Sequence, residues 1–369
     1  MSKLSLITAV AASLFSFAIE TAQSADVASA DDTARFLAGL PPSADSPLAP
    51  LTRDSSWQQH AKSMDKAFAK IETRQVSRIR IWVPENLAAP RPTMFYMFSG
   101  PDFLYANAFF PRASTYVLSG LESSGPIPDL LRMQRQSISS NLASLRNSMQ
   151  TLLSVSFFIT VNMRHDLEAS AVRGTLPVLY VFLARSGKQI RDVSLVNIDS
   201  QGELQAESGS KVKSAARGVK IVFAGADGRE QTLYYISTDL ANSGVKKSGF
   251  LTFCGKLGDG DSFLKSASYL MHKSEFSQVR DFLLNKSAVL LQDDSGIPLK
   301  FFDVNKWDLA PFGNYLAPIA VFEGVYQAKM KELFQKGRSK PIDFGVGYQW
   351  RPGQSNLLLA VKRAPAENK

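Results

Sequence analysis

Apolar residues recur along this chain with two periods, one typical of helices and one typical of strands. Trp57, Ala61, Met64, Phe68 and Ile71 follow one another at steps of four and three residues, which predicts an amphipathic helix with one apolar face. Further helices are predicted in the region that Asp129 opens and at Ser262–His272, Ser274–Asn285 and Pro318–Gln335.

Short apolar runs bounded by turn residues predict strands. Met94–Phe98 is wholly apolar, as expected for a strand that is buried on both faces. Arg78–Val83 alternates between polar and apolar residues instead. Strands and helices follow each other along the chain, so the sequence predicts an α/β or α+β fold in which helices cover a sheet. The other predicted strands are Thr115–Leu118, Val178–Leu183, Val193–Ile198, Val219–Phe223, Leu233–Ile236, Phe250–Phe253, Ala288–Gln292, Ile297–Phe302, Phe344–Trp350 and Leu357–Val361.

Two stretches contain the same landmarks in the same order. Phe95–Gly100 corresponds to Phe250–Gly255, and Asp102 corresponds to Asp261. Each stretch then ends in an acidic turn that closes with Ile-Pro. Such a series indicates an internal duplication. The predicted organisation is therefore two pseudo-symmetric lobes, residues 54–200 and 217–365, joined by a polar linker at 201–216.

The first 24 residues have the pattern of an export signal peptide. Lys3 supplies a positive charge, and Leu4–Ile19 is an apolar run. Ala22-Gln23-Ser24 and Ala28-Ser29-Ala30 both fit the small-residue cleavage rule. Residues 25–53 are rich in Pro, Ala and Ser, and we expect them to form a flexible arm. No other apolar run reaches the roughly 18 residues that span a bilayer. We therefore expect a periplasmic or secreted protein, without a transmembrane helix after the signal is removed.

Composition indicates the number of domains and the kind of partner. The 369 residues are 45% hydrophobic and 20% charged, which is typical of a globular protein with two domains. Lys and Arg number 42 against 33 Asp and Glu, which gives a net charge of +9. This charge allows peripheral contact with anionic surfaces. The basic residues are dispersed and match no nucleic-acid-binding module, so no nucleic acid partner is expected.

Most motifs of known catalytic and cofactor sites are absent from the sequence, and the five SxxK matches lack the companion motif that would give them meaning. HExxH, GxSxG, the Walker A loop and GxGxxG do not occur. Cys254 is the sole cysteine, which excludes an intrachain disulfide and a thiolate metal cluster. We therefore expect neither a cofactor nor a metal, and no residue is assigned a catalytic role.

Two further stretches resemble a known family. FYMFSGPDFLYANAFFP at residues 95–111 and VLLQDDSGIPLKFF at residues 289–302 are similar to a family of exported bacterial proteins of uncharacterised function. The resemblance extends over most of the mature chain. It implies a location in the cell envelope and no particular activity, so it transfers no site residues to this sequence.

Five acidic residues near predicted strand ends and turns are the candidate ligand-binding residues. Ligands of open α/β sheets bind beyond the carboxyl ends of the strands, and clefts between domains are frequent sites. Carboxylates there could bind a cationic or hydroxylated ligand, or could serve acid–base hydrolysis. Acids at such positions also cap helices and form turns. The candidates are Asp102, Glu122, Asp261, Asp293 and Asp294.

These features favour a non-enzymatic role for the exported chain. The hypothesis is that it binds an unknown small molecule or an envelope component in a cleft between two related lobes. The alternative is an envelope-polymer hydrolase that uses the carboxylates of this cleft.

Overall fold

The computed structural model describes residues 27–87, 89–157, 172–207, 216–336 and 339–364. The predicted signal peptide lies outside the described residues, as does much of the predicted linker. The helices of the described residues are α1 (Ala30–Leu37), α2 (Ser55–Ile71), α3 (Ser77–Asn86), α4 (Phe103–Phe109), α5 (Arg135–Val155), α6 (Leu176–Arg185), α7 (Asn242–Ser248), α8 (Phe250–Lys256), α9 (Ser277–Lys286) and α10 (Ala328–Lys336). The strands are β1 (Thr93–Tyr96), β2 (Thr115–Gly120), β3 (Gln189–Ile198), β4 (Leu204–Ala206), β5 (Ala216–Ala224), β6 (Glu230–Ser237), β7 (Gly260–Leu264), β8 (Ser287–Gln292), β9 (Trp307–Gly313) and β10 (Asn356–Lys362).

These strands form one sheet in the order β4-β3-β5-β6-β2-β1-β7-β8-β10-β9. The central strands β6, β2, β1, β7 and β8 are parallel, and antiparallel strands extend the sheet at both edges. In the register, Phe95 of β1 lies between Val117 of β2 and Ser262 of β7. The predicted mixed α/β class is confirmed.

Helices cover both faces of the sheet, as parallel strands require. Successive side chains of a strand point to opposite faces. Met94 and Tyr96 accordingly belong to the core that α1–α6 cover, whereas Phe95 and Met97 belong to the core under α7–α9. The apolar run that predicted a strand buried on both faces is thus explained, because both of its faces meet helices.

The order of the parallel strands creates a crevice at one edge of the sheet. The chain first places β1, β2 and β6 side by side in one direction, and then returns to place β7 and β8 on the other side of β1. Neighbouring strands whose connections leave in opposite directions open a gap beyond their carboxyl ends, where α/β proteins bind ligands. Here the gap lies between β1 and β7.

The segment expected to be a flexible arm, residues 25–53, contributes to the core where it is described. Phe36 and Leu37 of α1 are fully buried, and the indole nitrogen of Trp57 donates a hydrogen bond to the carbonyl of Phe36 at 3.1 Å. Helix α1 begins at the side-chain cap Ser29, which accepts from the backbone N–H of Asp32.

Three segments predicted as strands are helical, and those predictions are wrong. Arg78–Val83 lies in α3, where Ile79 and Val83 are buried one helical turn apart while Ile81 is 69% exposed. Val178–Leu183 lies in α6, and Phe250–Phe253 lies in α8. A short apolar run that is buried on every side has no periodicity that separates a strand from a helix.

Other predicted elements also differ from the structure. Ser262–His272 was expected to be helical, but β7 occupies Gly260–Leu264, and every residue of β7 is buried between two strands. Ile297–Phe302 contains a short 3₁₀ turn instead of a strand, and Phe344–Trp350 contains only an isolated bridge. The last strand, β10, pairs instead with β8 and β9.

The internal duplication is not confirmed. Phe95–Gly100 includes strand β1, whereas its proposed counterpart Phe250–Gly255 is the helix α8. Strands from both proposed lobes are also neighbours within a single sheet, since β1 and β2 lie between β6 and β7. The matching landmarks were turn and cap residues that many α/β units share.

Candidate functional site

A cleft of about 330 Å³ opens at the carboxyl ends of β6, β2, β1 and β7. Each of these strands contributes the residues that follow its last hydrogen-bonded position. Ser99 and Gly100 follow β1, Leu121 follows β2, Thr238 follows β6, and Lys265 follows β7. The cleft therefore occupies the crevice that the strand order creates, and its volume is at the lower end of the range of small-molecule sites.

A buried ion pair forms the floor of the cleft. Lys265 Nζ lies 2.6 Å from Asp102 Oδ2, and both side chains are at most 2% exposed. The ammonium also donates to the carbonyl of Ser156 and lies 3.6 Å from the centre of the Tyr105 ring. Burial lowers the pKa of Lys265, an effect that the nearby Asp102 carboxylate opposes.

Asp102 has a structural role in addition to this pair. Its Oδ1 accepts from the backbone N–H of Tyr105 at 3.2 Å, which caps helix α4 as the sequence predicted. Its Oδ2 accepts from the Tyr96 hydroxyl at 2.9 Å as well as from Lys265. Both carboxylate oxygens are thus engaged within the protein.

The backbone around the cleft adopts left-handed conformations. Among the described residues, the non-glycine residues with positive φ are Phe98 at 61°, Ser156 at 74°, and Ser266, Ser268 and Tyr269 at 53° each. Phe98, Ser266 and Ser268 line the cleft, and Ser156 accepts from Lys265. Such conformations cost of order 1–3 kcal/mol each and cluster at functional sites. All five lie in or next to this cleft.

Asp293 and Asp294 accept hydrogen bonds from the loop that follows β7. Asp293 Oδ2 accepts from the backbone N–H of Ser266 at 2.9 Å, and Asp294 Oδ2 accepts from the Tyr269 hydroxyl at 2.6 Å. Burial raises the pKa of both carboxyls, and the charge of Asp294 raises that of Asp293 further. Gly347 packs directly on Asp293, since a Cβ atom there would lie 1.7 Å from Oδ2. The two acids act on the cleft through the loop that they hold.

Glu122 lies on the rim of the cleft, after strand β2. Its carboxylate approaches the backbone of Gly120 so closely that a Cβ atom there would lie 2.8 Å from Oε2. The Tyr235 hydroxyl donates to the Glu122 carbonyl at 2.8 Å and fixes this turn. Asp239, which follows β6, adds a second, exposed carboxylate to the rim.

Asp261 lies apart from the other candidates. It is paired with Met94 near the amino end of β7, at the edge of the sheet opposite the cleft. Its carboxylate accepts from the backbone N–H groups of Arg91 at 2.7 Å and Val289 at 3.1 Å. Burial raises its pKa to about 6. The proposed equivalence of Asp102 and Asp261 therefore places them at opposite ends of the strands.

Two hydroxyl groups in the cleft have no hydrogen-bond partner among the described residues. One is Thr238 Oγ1, on a residue that is only 6% exposed, and the other is Ser266 Oγ. Buried polar groups are paired in the great majority of cases. Both oxygens are also closed to solvent, so they stay unpaired in the ligand-free chain.

The structure brings together some of the predicted residues and adds others. Asp102 and Glu122 line the cleft, Asp293 and Asp294 support it, and Asp261 does not contribute to it. Sequence reasoning missed Lys265, Thr238 and the aromatic residues of the wall. One signal for Lys265 was present: it is a lone charge directly after the apolar end of a strand, Phe263-Leu264.

Comparison of the chain with protein-family models, with curated proteins and with solved structures finds no match. Within the described ranges, no helix has both the length and the apolar character to cross a membrane. In the same ranges, no three His, Cys, Asp or Glu side chains converge to hold a metal ion. The geometry of the cleft is thus the basis for any functional conclusion.

Proposed function

We propose that this chain is an exported, non-enzymatic protein that binds a small, partly apolar organic molecule in the cleft at the carboxyl ends of the parallel strands. The observation that supports this most strongly is the place of the cleft, in the crevice that the strand order opens between β1 and β7. Ligands of open α/β sheets bind beyond the carboxyl ends of the strands at such a point.

The lining of the cleft fits such a ligand. Phe98, Phe276 and Leu240 are apolar lining residues, and Ser268 and Tyr348, whose hydroxyls lie 3.0 Å apart, are polar ones. Small-molecule sites combine a mostly apolar wall with a few polar groups that fix orientation. The strained loop after β7 supports the same conclusion, since strain persists where the surroundings enforce it for a function.

The hydrolytic alternative receives less support from the geometry. A glycosidase-type mechanism needs two carboxyls that face the substrate, within about 10 Å of each other. Asp102 is occupied by Lys265 and the Tyr96 hydroxyl, and Asp261 lies at the other end of β7. Asp293 is buried behind the loop and accepts from the backbone N–H groups of Ser266 and Ser295.

Export is part of the proposal and is supported by the sequence alone. The apolar run Leu4–Ile19 and the small residues Ala22-Gln23-Ser24 have the pattern of a cleaved signal. Amino-terminal sequencing of the chain from the periplasmic or secreted fraction should begin after residue 24. A chain that retains Met1 in the cytoplasmic fraction contradicts export.

Native mass spectrometry of the gently purified chain tests binding. We expect a mass above that of the bare chain, and release of a small molecule on denaturation. Leu270→Trp should abolish this, because the half-buried Leu270 lines the cleft and an indole would fill it. Leu316→Trp is the matched control, since Leu316 is 47% exposed and does not line the cleft.

Two results contradict the proposal. One is that the wild-type chain has only its bare mass and no member of a metabolite library raises its melting temperature. The other is that the Leu270→Trp chain, folded by circular dichroism, retains the same ligand as the wild type. Turnover of an envelope polymer that requires the cleft carboxylates would favour the hydrolytic alternative instead.

A further inference from the structure

A groove of about 400 Å³ lies between helices α2 and α5, and it shares no lining residue with the cleft. All of its lining residues belong to these two helices, which pack against each other. Met64, Ala67 and Leu153 are its apolar lining residues, and Asn147 and Gln150 are exposed polar ones on the α5 side. The groove is thus a second concave surface of small-molecule size.

The charged residues of this groove are all cations. Lys66 and Lys70 of α2 and Arg146 of α5 line it, and no carboxylate is among its described lining residues. Lys62, Lys66 and Lys70 follow one another at steps of four residues, which places their charges along one side of α2. Like charges at this spacing destabilise a helix. Helix α2 bears this cost without a carboxylate in the groove to offset it.

The acids nearest to these cations along the chain are paired elsewhere. Asp65 Oδ1 lies 2.7 Å from Arg185 Nη1, and Glu72 Oε1 lies 2.6 Å from Arg80 Nη1. Asp65 is the only acid of α2, and α5 contains none. Among the described residues, the three lining cations therefore have no ion-pair partner.

Arg146 is held in place by an uncharged partner. Its Nη1 lies 2.7 Å from Nδ1 of the fully buried His60, whose Nε2 lies 2.9 Å from the carbonyl oxygen of Leu37. A carbonyl oxygen only accepts and a guanidinium only donates, so His60 carries its proton on Nε2 and is neutral. Burial and the charge of Arg146 lower the pKa of His60 to about 4, which keeps the ring neutral at ordinary pH. The guanidinium is thus positioned without its charge being neutralised.

The half-buried guanidinium lacks a counter-ion. Burial lowers the pKa of Arg146, and no nearby carboxylate among the described residues opposes this effect, as Asp102 does for Lys265. The Nε and Nη2 atoms of Arg146 also have no acceptor among the described residues. The fork of a guanidinium matches two oxygens of one oxyanion. An oxyanion in the groove would supply both the missing charge and the missing acceptors.

We propose that the groove between α2 and α5 binds a phosphate group, such as that of a phosphomonoester. One phosphate group presents close to two negative charges and three acceptor oxygens at neutral pH. The fork of Arg146 donates to two of these oxygens, and Lys66 and Lys70 approach the group from α2. A carboxylate offers one charge and two oxygens, so it balances less of the charge of the three cations. This site is independent of the ligand of the cleft.

Isothermal titration calorimetry at low ionic strength tests the site with three probes of similar size, namely butyl phosphate, pentanoate and 1-pentanol. The titrations use the Leu270→Trp chain, whose cleft is filled, beside the wild type. In both chains we expect butyl phosphate to bind at least about tenfold more tightly than the other two probes. Equal or tighter binding of pentanoate or pentanol overturns the assignment to phosphate. Loss of butyl phosphate binding in the Leu270→Trp chain contradicts the groove as its site.

Variants of the groove locate the binding. Lys66→Gln with Lys70→Gln, and Arg146→Gln alone, should each weaken the binding of butyl phosphate at least about tenfold, with folding checked by circular dichroism. Lys246→Gln with Lys247→Gln is the matched control, because it removes two charges from exposed lysines of α7 that do not line the groove. An equal loss in this control, or an unchanged affinity in the groove variants, overturns the proposal.

Vesicles distinguish the source of the phosphate group. Phosphatidylcholine vesicles with added phosphatidic acid present a phosphomonoester on a lipid surface, and vesicles without it are the control. If the chain binds the phosphatidic acid vesicles alone, and the variant with Lys66→Gln and Lys70→Gln does not, then the source is a lipid headgroup. If butyl phosphate binds and neither vesicle does, then the source is a soluble molecule. Either result upholds the site, and binding of neither probe overturns it.

Discussion

The two ends of the same parallel strands differ in how their buried acids are used. At the carboxyl ends, Asp102 pairs with Lys265 beside a cleft, and the surrounding backbone is strained at residues such as Phe98 and Ser266. At the amino ends, Asp261 accepts from two backbone N–H groups and connects β7 to the residues before β1 and to β8. The carboxyl ends thus combine a buried ion pair with left-handed backbone, whereas the Asp261 carboxylate at the amino ends is held by backbone N–H groups alone.

We interpret this difference as that between the proposed binding site and the scaffold of the sheet. Strained backbone and unpaired buried groups lower stability, so they are expected where binding requires them. A carboxylate that ties neighbouring strands together, as Asp261 does, is explained by the fold alone. An acid at the carboxyl ends of the strands therefore lies at the proposed binding cleft, whereas an acid at the amino ends stabilises the fold.

The largest expected effect is at the buried pair. Lys265→Met leaves Asp102 charged and unpaired in the interior, and should lower the free energy of unfolding by about 3–5 kcal/mol. Lys286→Met is the counterpart at the amino ends. Lys286 Nζ lies 3.3 Å from Asp259 Oδ1, and the two side chains are 39% and 63% exposed. It should cost about 0–1 kcal/mol. Urea denaturation measures both.

A second variant checks the cause of that loss. Adding Asp102→Asn to Lys265→Met should restore part of the stability, because the buried charge is removed while an amide oxygen can still cap α4. Equal costs for Lys265→Met and Lys286→Met would remove the distinction between the two ends.

The next effect is a pH dependence that belongs to Asp261. Burial raises its pKa from 3.8 to about 6, so the folded chain retains a proton that the unfolded chain has released. Its contribution to the free energy of unfolding therefore decreases by about 2–3 kcal/mol as the pH rises from about 4 to about 6. Above about pH 6 this contribution is constant. Asp261→Asn should lack this part of the decrease in urea denaturation across that range.

Other groups do not obscure this comparison. The buried carboxyls of Asp293 and Asp294 also have raised pKa values, but they are present in both chains. Asp259→Asn, which removes an exposed carboxylate two residues away, should keep the wild-type pH profile. Parallel profiles for wild type and Asp261→Asn would show that the environment of Asp261 does not hold its proton.

The smallest effect separates stability from binding. Thr238→Val removes the unpaired hydroxyl with little change in shape, so the ligand-free chain should be unchanged or more stable by about 1 kcal/mol. Because the hydroxyl oxygen is closed to solvent in the ligand-free chain, a lower affinity of the variant for the ligand would show that ligand binding draws this hydroxyl into the cleft. Thermal unfolding and calorimetry measure the two quantities. Thr232→Val, earlier on β6 and outside the cleft lining, is the control and should leave the affinity unchanged.

A destabilised Thr238→Val chain with unchanged affinity would contradict the assignment. It would mean that the hydroxyl serves the fold, as the polar groups at the amino ends do.

Sequence reasoning predicted the elements that have an unambiguous local pattern. The strands expected at Val219–Phe223 and Leu233–Ile236 lie in β5 and β6, and Asp102, one of the acids expected near strand ends, caps α4. It failed where an apolar run is buried on all sides, as at Val178–Leu183 in α6. Local spacing does not report whether a run is surrounded by helices or by strands.

The acids named as candidate ligand-binding residues do not all lie at the cleft. Glu122 and Asp102 were expected at strand ends and line the cleft, whereas Asp261 was assigned there through an equivalence that the fold does not support. Thr238 could not be found, because its significance depends on having no partner, and partners are known only after packing.

The sequence by itself determined the α/β class, the burial of β1 on both faces and the capping role of Asp102, because each depends on neighbours along the chain. Only the tertiary structure decided the strand order, and with it the crevice between β1 and β7. It also decided the pairing of Lys265 with Asp102, residues that are far apart in sequence. Contacts of that kind are set by how the whole sheet winds, which no local pattern encodes.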